Sequence, residues 1–444
     1  MNKSRKILAG FGLVLALLFI IPVTVTIVFK RGDTFNSDSS MRAVVRLSKR
    51  TVAELAGYAV AVWDPYKDSH VYAPLGPQED ARDVLSSLVF STAEELQNFF
   101  DTSETFHGAV VRSFNNNNLI KSRLPFYYQP AGEPMLDSLA ALYRLPELVQ
   151  WEITDFDKFR ELIYWLYDIF HTGMSIKIPI PKVDYNFNAL DILYRARQGE
   201  GFWCSEYSTT LIQCLAALGY TSRYLMLDSG KAGHVLCEAW SETYGKWVML
   251  DPFWGRIVTV DRIPLNVYEI HELFARPERY SRALVWHQGA VLDSETERNF
   301  YFDLFRNFAV RMRNDWFTNQ YPHWYPLSNS VMNAVEWSDS LTIDNIYYKN
   351  KTNCVEDLYW PLNRMKIFIQ PAENAGLNLS FATVTPNFSH FLVRLDDFGP
   401  EMVKESRFSW KLKYGSNLLK VSAVNSWGIE GRPIVVEIQW NKAG

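Results

Sequence analysis

The chain has 444 residues, 48% of them apolar and 21% charged. That allows two or three domains and excludes disorder as the main state. Its 45 basic and 49 acidic side chains leave a net charge of −4, so no basic excess exists to neutralise a phosphate backbone, which argues against nucleic-acid binding as the main task. Four cysteines are too few for a disulfide-stapled scaffold.

Residues 7–29 form an uncharged run of 23. As a helix the run is roughly 35 Å long, enough to span a bilayer with some tilt. Lys3, Arg5 and Lys6 precede it, and Lys30 and Arg31 follow. A cleavable signal would have a shorter apolar core and a small-x-small site; the stretch Pro22-Val23-Thr24-Val25-Thr26 offers none. The expectation is a cytoplasmic tail (residues 1–6), one uncleaved transmembrane helix (7–29) and a body on the outer side. Arg42, Arg46, Lys49 and Arg50 add positive charge beyond the run and blunt the orientation argument.

Residues 30–135 have no clear fold. Residues 44–47 and 58–63 read as strand, 93–100 as helix, and Asn115 to Asn118 as a turn. From Leu136 the period becomes helical, with Leu139, Leu142 and Leu145 at spacings of three. Asp155 is placed to cap a helix bearing Phe159, Leu162, Ile163, Leu166, Ile169 and Phe170 on one stripe. Residues 174–187 read as loop, and a further helix carries Leu190, Ile192, Leu193 and Ala196. Residues 204–218 are the best-formed helix, with Ser208, Leu211, Ile212, Leu215 and Leu218 on its buried side and a stop at Gly219. Strands follow at 223–227, 234–240 and 246–250, the last ending in Asp251-Pro252. Beyond a mixed, aromatic-rich stretch, seven short alternating runs start at Leu341, Met365, Leu377, Phe391, Phe408, Leu418 and Ile434. They predict an immunoglobulin-like or fibronectin-like β-sandwich over residues 336–444.

Three residues carry chemistry together. Cys204 stands where the loop Gly199-Glu200-Gly201-Phe202-Trp203 enters a helix. The partial positive charge and free amides of a helix N-terminus stabilise a thiolate and can hold an oxyanion. His234 and Asp251 lie on successive strands. If the turn is Ser241-Glu242-Thr243-Tyr244, with Trp240 opposite Gly245, then His234 falls opposite Asp251 and Glu238 opposite Trp247. A carboxylate beside an imidazole fixes its tautomer and stabilises the imidazolium that pairs with a thiolate. Singly, each residue reads more simply as packing, a core histidine and a turn. In this order, on helix, strand and strand, they point to a nucleophile, a base and an orienter.

The same segments resemble the transglutaminase-like superfamily, a papain-like cysteine fold. The motifs are Gly201-Phe202-Trp203-Cys204-Ser205-Glu206-Tyr207, Leu215-Ala216-Ala217-Leu218-Gly219 with Arg223, Gly233-His234-Val235-Leu236-Cys237-Glu238-Ala239-Trp240, and Lys246-Trp247-Val248-Met249-Leu250-Asp251-Pro252. The match covers residues 155–255. Ala189-Leu190-Asp191-Ile192-Leu193 and Pro264-Leu265-Asn266 look like its membrane-anchored bacterial members. The resemblance implies an α+β protein, with the nucleophile helix packed on an antiparallel sheet within a domain at 136–335. It implies Cys204 as nucleophile, His234 as base and acid and Asp251 as orienter, with no cofactor and no metal. Such enzymes often complete the oxyanion hole with an upstream side chain; Tyr185, Asn186 and Asn188 stand at suitable positions.

Among the remaining candidates, Cys214 and Cys237 read as packing, and Cys354 has no evident partner. Zinc on Cys204, Cys237 and His234 fits no common spacing. Glu206 reads as solvated, and Glu238 as structural. Trp410, Trp427 and Trp440 read mainly as sandwich core. The expected function is a membrane-anchored cysteine hydrolase or acyltransferase, acting through a thioester acyl-enzyme on protein or peptide amides, cell-wall peptides included. The rival expectation is a silent domain that binds protein or glycan at the cell envelope. Substrate and oligomeric state are not legible.

Overall fold

The computed structural model describes residues 71–78, 88–174, 187–319, 334–343 and 350–441. The run at 7–29 and the strand readings at 44–47 and 58–63 lie outside the described residues. Among those described, no helix is long and apolar enough to cross a membrane.

The fold is mixed α+β with several largely antiparallel sheets. A six-stranded sheet runs in spatial order Asn350–Thr352, Ala334–Trp337, Asn307–Arg311, Ser222–Asp228, Gly233–Ser241, Lys246–Leu250. Only its first pair is parallel. Both faces are covered, so these strands are buried almost throughout, not merely at alternate positions. One face packs on helices Asp155–Met174, Ala189–Arg197 and Cys204–Ala217. That core joins Phe159, Leu162, Leu166 and Phe170 to Cys237, Ala239, Val248 and Leu250. The other face buries Leu225, Leu236, Trp240 and Trp247 against Ile270, Tyr301, Phe302 and Trp360.

The helix expectations need two amendments. Thr154, not Asp155, caps the long helix: its Oγ1 accepts the Asp157 amide at 3.1 Å. Asp155 instead reaches across to the hairpin, accepting from Ser241 Oγ at 2.9 Å and from the Glu242 amide. Leu142 is exposed, because its helix ends at Tyr143 and Arg144 turns the chain with φ 52°.

The C-terminal region holds two sheets around one core. Strands Met365–Ala372, Gly376–Thr383 and Arg407–Lys411 form one. The other runs Ala109–Phe114, Ile434–Trp440, Gly415–Asn425, Phe388–Leu395, Glu401–Val403. Its first strand, like helix Ala93–Thr102, comes from well before the main sheet; Leu96, Phe100 and Phe106 pack in the same core as Ile367, Val421 and Ile438. Residues 341–343 form a turn in place of the expected strand, whose remainder lies outside the described residues. Trp410 and Trp440 are core, whereas Trp427 sits between the two parts. There Gly219, the stop after the Cys204 helix, has φ 84°, and a Cβ on it would lie 2.5 Å from Trp427 Cβ. Asn425 Nδ2 also donates to the Gly219 carbonyl at 2.9 Å. The helix end is thus pinned to the sandwich, which fixes the site at its other end.

Candidate active site

Cys204 is the first residue of helix Cys204–Ala217, and all of its residues after Cys204 are buried. The thiol is half-buried at the sheet's end. Trp203, extended at φ −91°, turns the loop into the helix. Its amide donates to Glu206 Oε2 at 3.2 Å, and Ser205 Oγ donates to the same oxygen at 2.7 Å. Glu206 is therefore not solvated, as its offset from Cys204 suggested; it is a buried cap. Burial pushes its pKa up against these hydrogen bonds. The preceding loop is held by Arg195, whose Nε lies 2.6 Å from Glu200 Oε2 and whose guanidinium covers Phe202. Once Glu206 takes the Trp203 amide, the amides of Cys204 and Ser205, at the first helical positions, have no intrahelical carbonyl to bond.

His234 and Asp251 meet as expected, by a different register. Ser241 pairs with Lys246 and Cys237 with Leu250, so the turn is Glu242 to Gly245, with Gly245 at φ 67°. The pairing is offset by two from the expected one, and Glu238 lies opposite Met249. A two-residue offset preserves the face, so His234 and Asp251 remain on one side of the sheet. The strand ends at Leu250. Asp251 and Arg256 then exchange backbone hydrogen bonds of 3.0 and 2.9 Å, and the intervening turn brings the carboxylate back to the ring.

His234 Nε2 donates to Asp251 Oδ2 at 2.9 Å, and both side chains are buried. Asp251 Oδ1 accepts the amides of Phe253 and Trp254 at 3.1 and 3.3 Å. Tyr301 Oη donates to Oδ2 at 2.8 Å. The Trp254 ring stacks on His234 with centroids 4.2 Å apart. With Nε2 engaged, Nδ1 is the ring nitrogen left for the Cys204 thiol, which is near enough to raise the imidazole pKa. Burial alone would push the imidazole pKa down. The charge of Asp251, its hydrogen bond and the nearby Cys204 thiol outweigh it and carry the pKa up to about 9.

A folded-state pKa above the ordinary 6.5 stabilises the protein fully below pH 6.5, and the gain is lost as pH rises through about 9. The stability difference between the wild type and His234→Ala should therefore narrow across that range in denaturant melts. A constant difference would contradict the raised pKa.

Cys214 is buried, and burial pushes its thiol well up. The Cys237 Sγ donates to the Ser208 carbonyl at 3.2 Å, on the helix side of the sheet. Cys354 bonds Glu356 Oε2 at 3.1 Å. Asn188 Oδ1 caps helix Ala189–Arg197, accepting from Leu190 at 3.0 Å. Tyr185 and Asn186 lie outside the described residues. Glu238 is structural, bound to Arg223. Sequence reasoning missed Tyr301 and Trp254. Trp254, three residues after Asp251, could have been suspected from that nearness; Tyr301, fifty residues on, carries no local signal. Among the described residues, no group of three or more His, Cys, Asp and Glu is placed to hold a metal ion. A scan against protein-family models found no match, and neither did a search of curated proteins.

Proposed function

We propose that this chain is a membrane-anchored cysteine enzyme of transglutaminase-like, papain-related fold that acts on amide bonds, with an immunoglobulin-like sandwich at its C-terminus. The observation that carries the reading is a buried imidazole bonded at 2.9 Å to Asp251, with a thiol at a helix N-terminus close enough to act on its charge. Three segments far apart in sequence build that constellation, and packing alone does not require it.

The chemistry follows from the geometry. The Cys204 thiolate attacks the amide carbonyl carbon, and the new oxyanion lies toward the helix amides of Cys204 and Ser205. The imidazolium of His234 gives its proton to the leaving nitrogen, the C–N bond breaks, and a thioester remains. Neutral His234 then takes a proton from water, giving a carboxylic acid and restoring the thiol. An amine in place of water gives transamidation. Asp251 stays ionised throughout and holds the ring. Water is the default acceptor, so hydrolysis is the favoured outcome. Residues 7–29 would anchor the chain, with the body facing the cell wall or periplasm and its protein or peptide amides.

The test is the pH dependence of iodoacetamide labelling of Cys204, in the full chain with Cys354 replaced by Ser. A thiol of pKa about 8.5 is only a few per cent thiolate at pH 7. The paired Cys204 should therefore label on the order of tenfold faster than in His234→Ala at that pH. Equal rates with an ordinary thiol profile would refute the pair. An impermeant reagent that labels only broken cells would reverse the proposed orientation.

A further inference from the structure

Asp251 Oδ2 receives two donors, His234 Nε2 at 2.9 Å and Tyr301 Oη at 2.8 Å. Tyr301 is fully buried on helix Glu295–Asp303, an element outside the segments that carry the other site residues. It is not held there by the hydroxyl alone. The Arg256 guanidinium lies over the Tyr301 ring at 5.0 Å and over the Trp254 ring at 5.2 Å, and it pairs with Glu297 on the Tyr301 helix. Trp254 in turn stacks on His234 and packs edge-on against Tyr301 at 5.5 Å. One cation thus clamps together the ring that covers the imidazole and the ring that bonds its carboxylate.

We propose that Tyr301 is a positioning residue of this site: through Asp251 Oδ2 it fixes the carboxylate and tempers its hold on His234. The inference rests on the proposed cysteine chemistry for its purpose, but not for its test. A hydroxyl that donates to Oδ2 draws electron density from the oxygen that accepts from the imidazole. Tyr301 therefore makes Asp251 a weaker acceptor and keeps the imidazolium acidic enough to give up its proton to a leaving nitrogen. An imidazolium bound too tightly would hold the thiolate but protonate the amine slowly. The hydroxyl proton is available for this role because burial raises the phenol pKa well above its ordinary value.

Charged and titratable groups face the pair from several elements. Cys204 approaches from its helix and the Cys237 thiol from the His234 strand. Arg256 lies over Trp254 and Tyr301, neutralised in part by Glu297. His287 sits behind Trp254, its Nδ1 2.7 Å from the Trp254 carbonyl. Among the described residues, Tyr301 and the two turn amides share the Asp251 carboxylate with the imidazole.

The test reads His234 directly, by NMR titration of ring-labelled histidine in the full chain. It uses a Cys204→Ala background, with His234→Ala to assign the signal. Tyr301→Phe should raise the His234 pKa by about one unit, the scale expected when one hydrogen bond to a shared charged oxygen is lost. In Asp251→Asn the same substitution should move the titration little, because the path through the carboxylate is gone. No shift, a downward shift, or an equal shift in Asp251→Asn would overturn the proposal. Because the nucleophile is absent here, this result stands apart from the labelling experiment. An inert Cys204 defeats the enzyme reading alone, whereas an unmoved His234 defeats the role of Tyr301 alone. Thermal melts of Tyr301→Phe keep a folding defect from passing as a shift.

Discussion

Cys204→Ala should abolish amide cleavage and acyl transfer, a loss on the order of 10⁴-fold or more, with the fold intact. Both halves of that expectation have physical grounds. The thiol is the only atom in the reading that bonds covalently to substrate, and no neighbouring side chain can replace it. Ser205, next in the chain, has a hydroxyl, but it is spent on Glu206. The fold should survive because Cys204 is half-buried at the first helical position, where Ala is a good helix former. The helix cap lies elsewhere, in Glu206 and the Trp203 amide. The measurement is turnover of a panel of peptide amides, with and without an amine acceptor, beside a melting curve. Turnover unchanged in the variant would remove Cys204 from the mechanism.

The largest effect on stability is expected at Arg223, further along the same sheet, on the face that His234 shares. Arg223 and Glu238 are cross-strand partners, and neither is exposed at all. Arg223 donates through Nε at 2.9 Å and Nη2 at 2.5 Å to Glu238 Oε2, and through Nη1 to the Leu358 carbonyl. Trp247, Tyr359 and Trp360 surround the guanidinium at 4.1, 4.7 and 5.4 Å. Glu238 Oε1 is taken by the Val267 amide and Tyr359 Oη. Arg223→Ala would leave a buried carboxylate without its cation and empty an aromatic cage. The expected loss is about 3–5 kcal/mol in denaturant unfolding. Replacing both partners, as Arg223→Met with Glu238→Leu, should recover much of it, since burying neither charge avoids the desolvation cost. A double variant as weak as Arg223→Ala would show that the aromatic cage, not the stranded charge, sets the loss.

The readable parts of the molecule were those with a short physical period. The Cys204 helix announced itself by its apolar spacing and its glycine stop, and the three following strands by runs of apolar residues between turns. Six of the seven C-terminal runs are strands, because alternation on a two-sheet core leaves a local trace. The strand Ala109–Phe114 was not readable. Its pairing partner, Ile434–Trp440, lies more than three hundred residues away, with a bulge between Val111 and Ser113 that breaks the alternation. Helical spacing puts Glu206 in solvent because it describes only a helix's own surface. Here the surrounding elements cover every side of that helix, so its polar residues are buried too.

For the site, residue types picked out Cys204 at a helix start, and parity sufficed to put His234 and Asp251 on one face of the sheet. A register error of two residues did no harm, because side chains on a strand repeat every two. The sequence by itself thus singled out the three candidate groups and the sheet face that His234 and Asp251 share. The tertiary structure alone decided how they are held. The Asp251–Arg256 turn closes the distance that the strand register leaves open. Trp254 covers the imidazole, and Tyr301 arrives from a helix fifty residues on. These contacts depend on where the chain returns after long loops, and no local spacing of residues encodes that return.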